Sequence, residues 1–133
     1  VKILDLSFGP TISLNGFAGG IYSGSLSDMV DDNPDTFVWF ECTPAAGDYI
    51  LVDYKDIIST SKIKVLFKSG NTLPCFLENL EVSTDGVEWT TLIEGNASNE
   101  MNYDGEIQFR YLKLLSPNGN SEWTSVATIE FGE

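Results

Sequence analysis

The feature that most constrains the fold is a pair of short, largely alternating apolar and polar segments separated by an Asp-Gly step. The segments are residues 77–83 and 87–93, and Asp85 and Gly86 lie between them. A period of two residues is typical of a half-buried β-strand. The Asp-Gly step supplies the positive φ that a tight hairpin needs. The sequence therefore predicts an antiparallel hairpin here.

Further strands are predicted on both sides of this hairpin. In residues 48–54, for example, Ile50 and Val52 fall on one side and Tyr49 and Leu51 on the other. The remaining predicted strands are residues 61–67, 107–115 and 124–131. At least six strands at short spacing favour an all-β fold, a β-sandwich or jelly roll. A short turn over residues 25–30 is the one helical segment predicted, and a length of 133 residues fits a single domain.

An acidic loop precedes an aromatic segment that begins at Phe37. Asp31, Asn33, Asp35 and Thr36 offer carboxylate, amide and hydroxyl oxygens within six residues. Calcium takes six to eight such oxygens. The alternative is a solvated Asx turn that binds no metal, because Asp and Asn form such turns readily.

An EF-hand does not fit this loop. Asp31, Asn33 and Asp35 match the first, third and fifth positions of an EF-hand, but Thr36 stands where glycine is required. Cys42 occupies the position of the bidentate glutamate. A calcium loop of another type is therefore predicted.

Charge and composition exclude several functions. Seven Lys and Arg against twenty Asp and Glu give a formal net charge of −13, which repels nucleic acids and anionic lipids. No segment has the roughly 20 apolar residues that a membrane helix needs. The chain contains no histidine, which excludes a Ser-His-Asp triad and leaves carboxylates as the acid-base groups of any enzyme.

The two cysteines leave one question open. Cys42 and Cys75 both fall in loop-like sequence, and their spacing fits no zinc signature. They form either one disulfide or two small, semi-buried thiols.

Four sequence segments, in this order along the chain, are similar to the discoidin, or coagulation factor 5/8 type C, superfamily. The acidic loop running into Thr36, Phe37 and Trp39 is the first, and the others are residues 47–53, 83–90 and 109–114. The first two segments most resemble family 32 carbohydrate-binding modules, which accompany bacterial glycoside hydrolases. The resemblance covers nearly the whole chain.

This resemblance implies a discoidin-like β-sandwich of about eight strands, one structural calcium ion, and a sugar site on loops at one end. In the family pattern, the backbone carbonyl of Val30 and the side chains of the acidic loop hold the ion, and an acidic residue of the last strand completes the site. Glu130 is the candidate for that residue. The family often has an acidic residue two positions earlier, where this chain has Thr128.

A sugar site needs an aromatic ring against the apolar face of a pyranose and a few polar groups for its hydroxyls. Three loops and one strand offer such combinations. The candidate sugar-binding residues are Phe17, Tyr22, Trp39, Asn71, Phe76, Asn118, Asn120, Glu122 and Trp123. Phe37 and Trp89 are assigned to the core.

The resemblance, together with these candidate residues, implies a non-catalytic module that recognises a terminal sugar or short glycan, of N-acetylhexosamine or galactose type, and targets an attached glycoside hydrolase to its substrate. Residues 1–133 are expected to be one monomeric module excised from a secreted or cell-surface bacterial enzyme that carries catalytic and accessory domains. The alternatives are a discoidin-type adhesion domain that binds protein or phospholipid, and a small glycoside hydrolase that uses two carboxylates.

Overall fold

A computed structural model describes residues 10–17, 20–31, 33, 35–41, 43–67, 77–119 and 124–132. Cys42 and Cys75 lie outside these residues, so the disulfide question stays open. The described strands are β1 (Thr11–Asn15), β2 (Ile21–Ser23), β3 (Val38–Phe40), β4 (Asp48–Leu66), β5 (Asn79–Ser83), β6 (Thr90–Ile93), β7 (Glu100–Ser116), β8 (Ser125–Val126) and β9 (Thr128–Gly132). A short 3-10 helix spans Leu26–Val30.

The described strands form two antiparallel sheets. The larger sheet has the strand order β1-β4-β7-β5-β6, and β9 joins its β4 strand. The smaller sheet has the order β2-β3-β8. Within the described ranges, no helix is long and apolar enough to cross a bilayer. The predicted all-β sandwich is confirmed.

The core lies between the two sheets and follows the alternation of the strands. Ile50 and Val52 of β4 and Leu112 of β7 are fully buried on the inner face of the larger sheet. Val38 and Phe40 of β3 oppose them from the smaller sheet and are also fully buried. Burying such a side chain contributes about 1.5–3 kcal/mol each, so the two sheets are held together chiefly by these inward-facing residues.

The predicted strands at residues 48–54 and 61–67 are one continuous strand, β4. An irregularity between Asp53 and Ile58 interrupts its pairing with β7. Lys55 adopts a φ of 70° there, and its backbone N–H donates to Asp53 Oδ1 at 2.8 Å. A bulge of this kind bends a strand without ending it, so the two predicted segments form one strand.

The predicted hairpin is present as β5 and β6, with a longer connection than a two-residue turn. Asp85 Oδ1 accepts the backbone N–H groups of Val87 at 2.8 Å and Glu88 at 3.0 Å. The predicted helical turn is also present, and Ser25 N–H donates to Asp28 Oδ2 at 3.0 Å at its start.

Trp89 was assigned to the core, and the structure corrects this. Its ring lies over the outer face of the larger sheet, where Lys113 Nζ is 4.0 Å from the ring centroid and Tyr111 is 6.5 Å away. Trp89 is only partly buried, because the connection after β5 folds back over the outer face and not into the sandwich.

Candidate functional site

Two aromatic side chains predicted to bind sugar meet on the smaller sheet. The ring centroids of Tyr22 on β2 and Trp39 on β3 are 5.1 Å apart, with an angle of 76° between the ring planes. Phe37, just before β3, lies 6.5 Å from Trp39. We call Tyr22, Trp39 and Phe37 the aromatic platform. Phe37 is partly buried in it, which corrects its assignment to the core.

The alternation of β3 explains the position of the platform. Val38 and Phe40 point into the core, so Trp39 between them must point outward. Tyr22 is 57% exposed on the neighbouring edge strand. A ring that is both exposed and held edge-on by a second ring can contact the apolar face of a sugar at low conformational cost.

The strand of Trp39 also pairs with β8. Trp39 pairs with Ser125 on β8, and Trp123 stands two positions before Ser125 in sequence. Five predicted sugar-binding residues lie outside the described residues, so they stay predictions: Asn71, Phe76, Asn120, Glu122 and Trp123.

Asn118 is exposed in the turn that follows β7. The next residue, Gly119, has a φ of 72°, and a Cβ built on it would lie 2.8 Å from the carbonyl oxygen of Pro44. This close approach keeps the turn against the segment before β4. Asn118 is thus in the connection that leads to β8, and its role in sugar binding stays a prediction.

Phe17 does not join the platform. Its side chain is 3% exposed and packs against Phe40, with the ring centroids 4.9 Å apart. A ring so buried has no free face for a sugar, which argues against the predicted role. Its neighbours along the chain are small and polar, and the apolar partner that buries it lies on a distant strand.

The acidic loop forms a compact turn through its own oxygens. Asp31 Oδ1 accepts the Asn33 backbone N–H at 2.9 Å, and Asn33 Oδ1 accepts the Asp35 N–H at 2.9 Å. The Thr36 hydroxyl lies 2.5 Å from Asp31 Oδ2 and 3.1 Å from the Asn33 carbonyl oxygen. The loop therefore gathers hard oxygen donors, which suit calcium, and the same contacts also satisfy the Asx-turn alternative.

Two residues of β9 bear on the predicted closing ligand of the acidic loop, Glu130 and Thr128, and the ligand itself stays a prediction. Val38, just after the loop, pairs with Val126 on β8, and Glu130 lies beyond it on β9, which belongs to the larger sheet. Glu130 is partly buried and pairs with Lys64 on β4. Thr128, on the same strand, is fully buried, and its hydroxyl has no hydrogen-bond partner among the described residues.

The carboxylates whose pKa values depart from the ordinary range are poor general acids. The pKa of Asp53 is held low by its hydrogen bond to Arg110. The pKa of Asp85 is lowered by the backbone N–H groups of Glu88 and Val87. A general acid at neutral pH needs a raised pKa. Among the described acidic residues, no group of three is placed to hold a metal ion.

A groove of about 610 Å³ lies elsewhere, along the second half of β4 and the end of β9. Its described lining is mostly hydroxyl, amide and carboxylate groups, from Ser59, Thr60, Ser61, Glu106, Ile107, Gln108 and Gly132. This lining has no aromatic ring, so the groove lacks the surface on which a pyranose stacks.

No protein-family model matches the sequence, and no curated protein matches it. Solved structures do match its fold. A family 32 carbohydrate-binding module from a family 31 glycoside hydrolase of Clostridium perfringens superposes with a TM-score of 0.69 at 16% identity, over 92% of this chain and 94% of that one. A second module of this family from Clostridium perfringens, solved with GalNAc-β-1,3-galactose, gives 0.69 at 16% identity over 93% and 95%.

A chitosan-binding module from a chitosanase/glucanase of Paenibacillus sp. IK-5, solved with chitotriose, superposes with a TM-score of 0.67 at 13% identity, over 97% of this chain and 100% of that one. Sequence identity at this level establishes the fold alone. The predicted resemblance to family 32 modules is therefore confirmed for the architecture, and the chain has the β-sandwich fold of these carbohydrate-binding modules.

Proposed function

We propose that this protein is a non-catalytic carbohydrate-binding module that recognises a terminal sugar or short glycan on the aromatic platform. The observation that carries the proposal is the contact between Tyr22 and Trp39, which presents a ring that is 57% exposed on the smaller sheet. The fold shared with sugar-binding modules supports it. A shallow site of this kind gives dissociation constants on the order of 0.1–1 mM.

The proposal extends to the setting of the module. It is a monomer, covalently attached to a glycoside hydrolase with further accessory domains, on the surface of a bacterium or secreted from it. The weak affinity of one platform is offset by avidity when several modules are linked. The sugar is of N-acetylhexosamine or galactose type, in keeping with the GalNAc-β-1,3-galactose bound by one module of similar fold.

Calcium is part of the proposal. Asp31, Asn33, Asp35 and Thr36 supply oxygens of the type that the ion prefers, and the buried Thr128 hydroxyl is a further candidate donor. The ion would hold structure by neutralising the crowded carboxylates of a loop that leads directly into the strand of Trp39. Thus the metal acts on sugar binding only through the fold.

A glycan array tests the function. The unaltered protein should bind N-acetylhexosamine- or galactose-terminated glycans without releasing sugar from an aryl glycoside. Tyr22→Ala should weaken binding by about tenfold, the effect of losing roughly 1.4 kcal/mol, whereas Tyr22→Phe should retain most of it. Val87→Ala is the matched control, since Val87 is 78% exposed on the connection between β5 and β6.

Two results would contradict the proposal. Turnover of the aryl glycoside by the purified protein would assign it to the small hydrolases. Binding to phosphatidylserine vesicles with no glycan bound would favour the adhesion-domain alternative, against which the net charge of −13 argues.

A further inference from the structure

We infer that Asp48 is a positioning residue for the aromatic platform: its carboxylate fixes the turn through which the chain passes from the larger sheet to the strand of Tyr22. Asp48 is the first residue of β4 and pairs with Ser116 on β7. It therefore belongs to the rigid sheet and not to the loops that it contacts.

One oxygen of Asp48 joins two loops. Its Oδ2 accepts the backbone N–H of Phe17 at 3.2 Å and that of Ala45 at 2.9 Å. Hydrogen bonds from backbone N–H groups to a carboxylate are stronger than those between neutral groups. The segment after β1 and the segment before β4 are thus held to the same atom.

The turn at residues 16 and 17 depends on the Asp48 carboxylate. Gly16 has a φ of 89° and Phe17 a φ of 54°, and the latter is unfavourable for a residue with a side chain. A Cβ on Gly16 would lie 2.1 Å from Asp48 Oδ1, so glycine is needed for the carboxylate to approach. Such a backbone persists only when its surroundings impose it, and here the carboxylate and the burial of the Phe17 ring against Phe40 do so.

A chain of backbone hydrogen bonds leads from this turn to the platform. The Phe17 carbonyl oxygen accepts the Gly20 N–H at 3.1 Å, and the Gly20 carbonyl oxygen accepts the Glu41 N–H at 2.9 Å. Tyr22 follows two residues after Gly20, and Glu41 follows two residues after Trp39. The turn that Asp48 holds thereby sets how β2 lies beside β3, and with it how Tyr22 meets Trp39.

This inference rests on the proposed function for its effect on glycan binding, but its structural part can be measured without a ligand. The near-ultraviolet circular dichroism that disappears in Tyr22→Ala reports the contact between Tyr22 and Trp39. Asp48→Ala and Asp48→Glu should lose a large part of that signal. The alanine removes the carboxylate that accepts the two N–H groups, and the longer glutamate displaces it. Asp48→Asn should retain it, because an amide oxygen can accept both N–H groups.

Affinity for the tightest-binding glycan of the array should follow the same order. Asp48→Ala and Asp48→Glu should bind about fivefold or more weakly, the lower end of coupling between sites, while Asp48→Asn binds as the unaltered protein does. Asp85→Ala is the matched control, since Asp85 also accepts two backbone N–H groups on one oxygen. It should lower the melting temperature and leave both the dichroism and the affinity unchanged.

The inference is overturned if folded Asp48→Ala keeps the dichroism and affinity of the unaltered protein, or if Asp85→Ala reproduces its effects. If Asp48→Ala does not fold, equal dichroism signals from Asp48→Glu and Asp48→Asn overturn the inference.

If no Asp48 variant folds, amide hydrogen exchange in the unaltered protein decides. Exchange of the Phe17 N–H as fast as that of an unprotected amide then overturns the inference. If no glycan binds while the dichroism follows the expected order, the proposed function fails and the positioning role stands.

Discussion

Arg110 on β7 makes a two-pronged ion pair with Asp53 on β4. Arg110 Nε donates to Asp53 Oδ1 at 2.8 Å, and Nη2 donates to Oδ2 at 3.1 Å. The hydrogen bond to Arg110 lowers the pKa of Asp53 below its ordinary value of 3.8. The pair joins neighbouring strands of the larger sheet beside the bulge at Lys55.

The pair makes stability depend on acidic pH. Because the pKa of Asp53 is lower in the folded protein, the stabilisation is present above pH 3.8 and is lost as the pH falls through the lowered pKa. Asp53→Asn should cost about 1 kcal/mol at pH 7 and much less near pH 2, measured by urea unfolding. Asp104→Asn is the control, because the pair of Lys62 and Asp104 is exposed at 63% and 75%. Equal losses of stability at both pH values would show that ionisation of Asp53 does not cause the pH dependence.

Lys113 makes a second set of charged contacts, on the outer face of the larger sheet, whose contribution to stability can be tested. Its Nζ lies 4.0 Å from the ring centroid of Trp89 and 4.7 Å from that of Tyr49, and 3.9 Å from Glu81 Oε1. Lys113 and Glu81 side chains are only 16% and 15% exposed. Lys113→Met should cost about 1–3 kcal/mol, because it leaves a largely buried carboxylate without its cation.

A double-mutant cycle separates the pair from the rings. If Lys113 acts mainly through Glu81, Lys113→Met should cost clearly less in a Glu81→Gln background, with a coupling of at least about 0.5 kcal/mol. Strict additivity in urea unfolding would assign the effect to the contacts with Trp89 and Tyr49. A change in Trp fluorescence is expected in both cases, and its absence would contradict the cation–π contact.

Substitution of Phe17 should lower the stability of the protein, whereas substitution of Tyr22 should weaken glycan binding at nearly unchanged stability. Phe17→Ala removes a buried ring from the core and should destabilise the protein by about 3–5 kcal/mol. Tyr22→Ala removes an exposed ring and should leave the free energy of unfolding nearly unchanged while weakening glycan binding. Thermal unfolding of both variants checks the first part. A Phe17→Ala protein as stable as the unaltered one would contradict the burial of Phe17 against Phe40.

The alternation of residues 48–54 predicted the fold well, because burial in a sandwich repeats with the same period as the strand. Ile50 and Val52 are buried as their positions indicate. The first half of β7 was missed, although Met101 and Tyr103 alternate with polar residues there. The continuity of β4 could not be predicted, because the bulge depends on a positive φ at Lys55 that sequence does not specify.

The candidate site was predictable only where strand geometry decides it. Trp39 points outward because Val38 and Phe40 are core residues. Phe17 was misplaced because its burial depends on Phe40, some twenty positions away, and on a turn that Asp48 holds. Long-range contacts of this kind leave no local pattern, so loop aromatics cannot be divided into core and surface from sequence alone.

Removal of calcium should lower the stability of the protein. If the acidic loop binds the ion in the folded state only, saturating calcium should raise stability by about 2.7 kcal/mol at a free concentration of 100 times the dissociation constant, and EDTA should lower the melting temperature accordingly. Asp31→Asn should lose most of this calcium-dependent shift, because Asp31 contacts both the Asn33 N–H and the Thr36 hydroxyl.

The matched control for calcium is Asp85→Asn, which alters another backbone-capping carboxylate and should keep the full calcium-dependent shift.

Thr128→Val tests whether the buried Thr128 hydroxyl is a calcium ligand. It keeps the side-chain volume and removes the hydroxyl, so it should weaken calcium binding if Thr128 is a ligand. It should instead stabilise the metal-free protein if that hydroxyl is simply unsatisfied, because burial of an unpaired polar group is costly. Identical melting temperatures with calcium and with EDTA would leave the loop as an Asx turn, stabilised by Asp31, Asn33 and Thr36 alone.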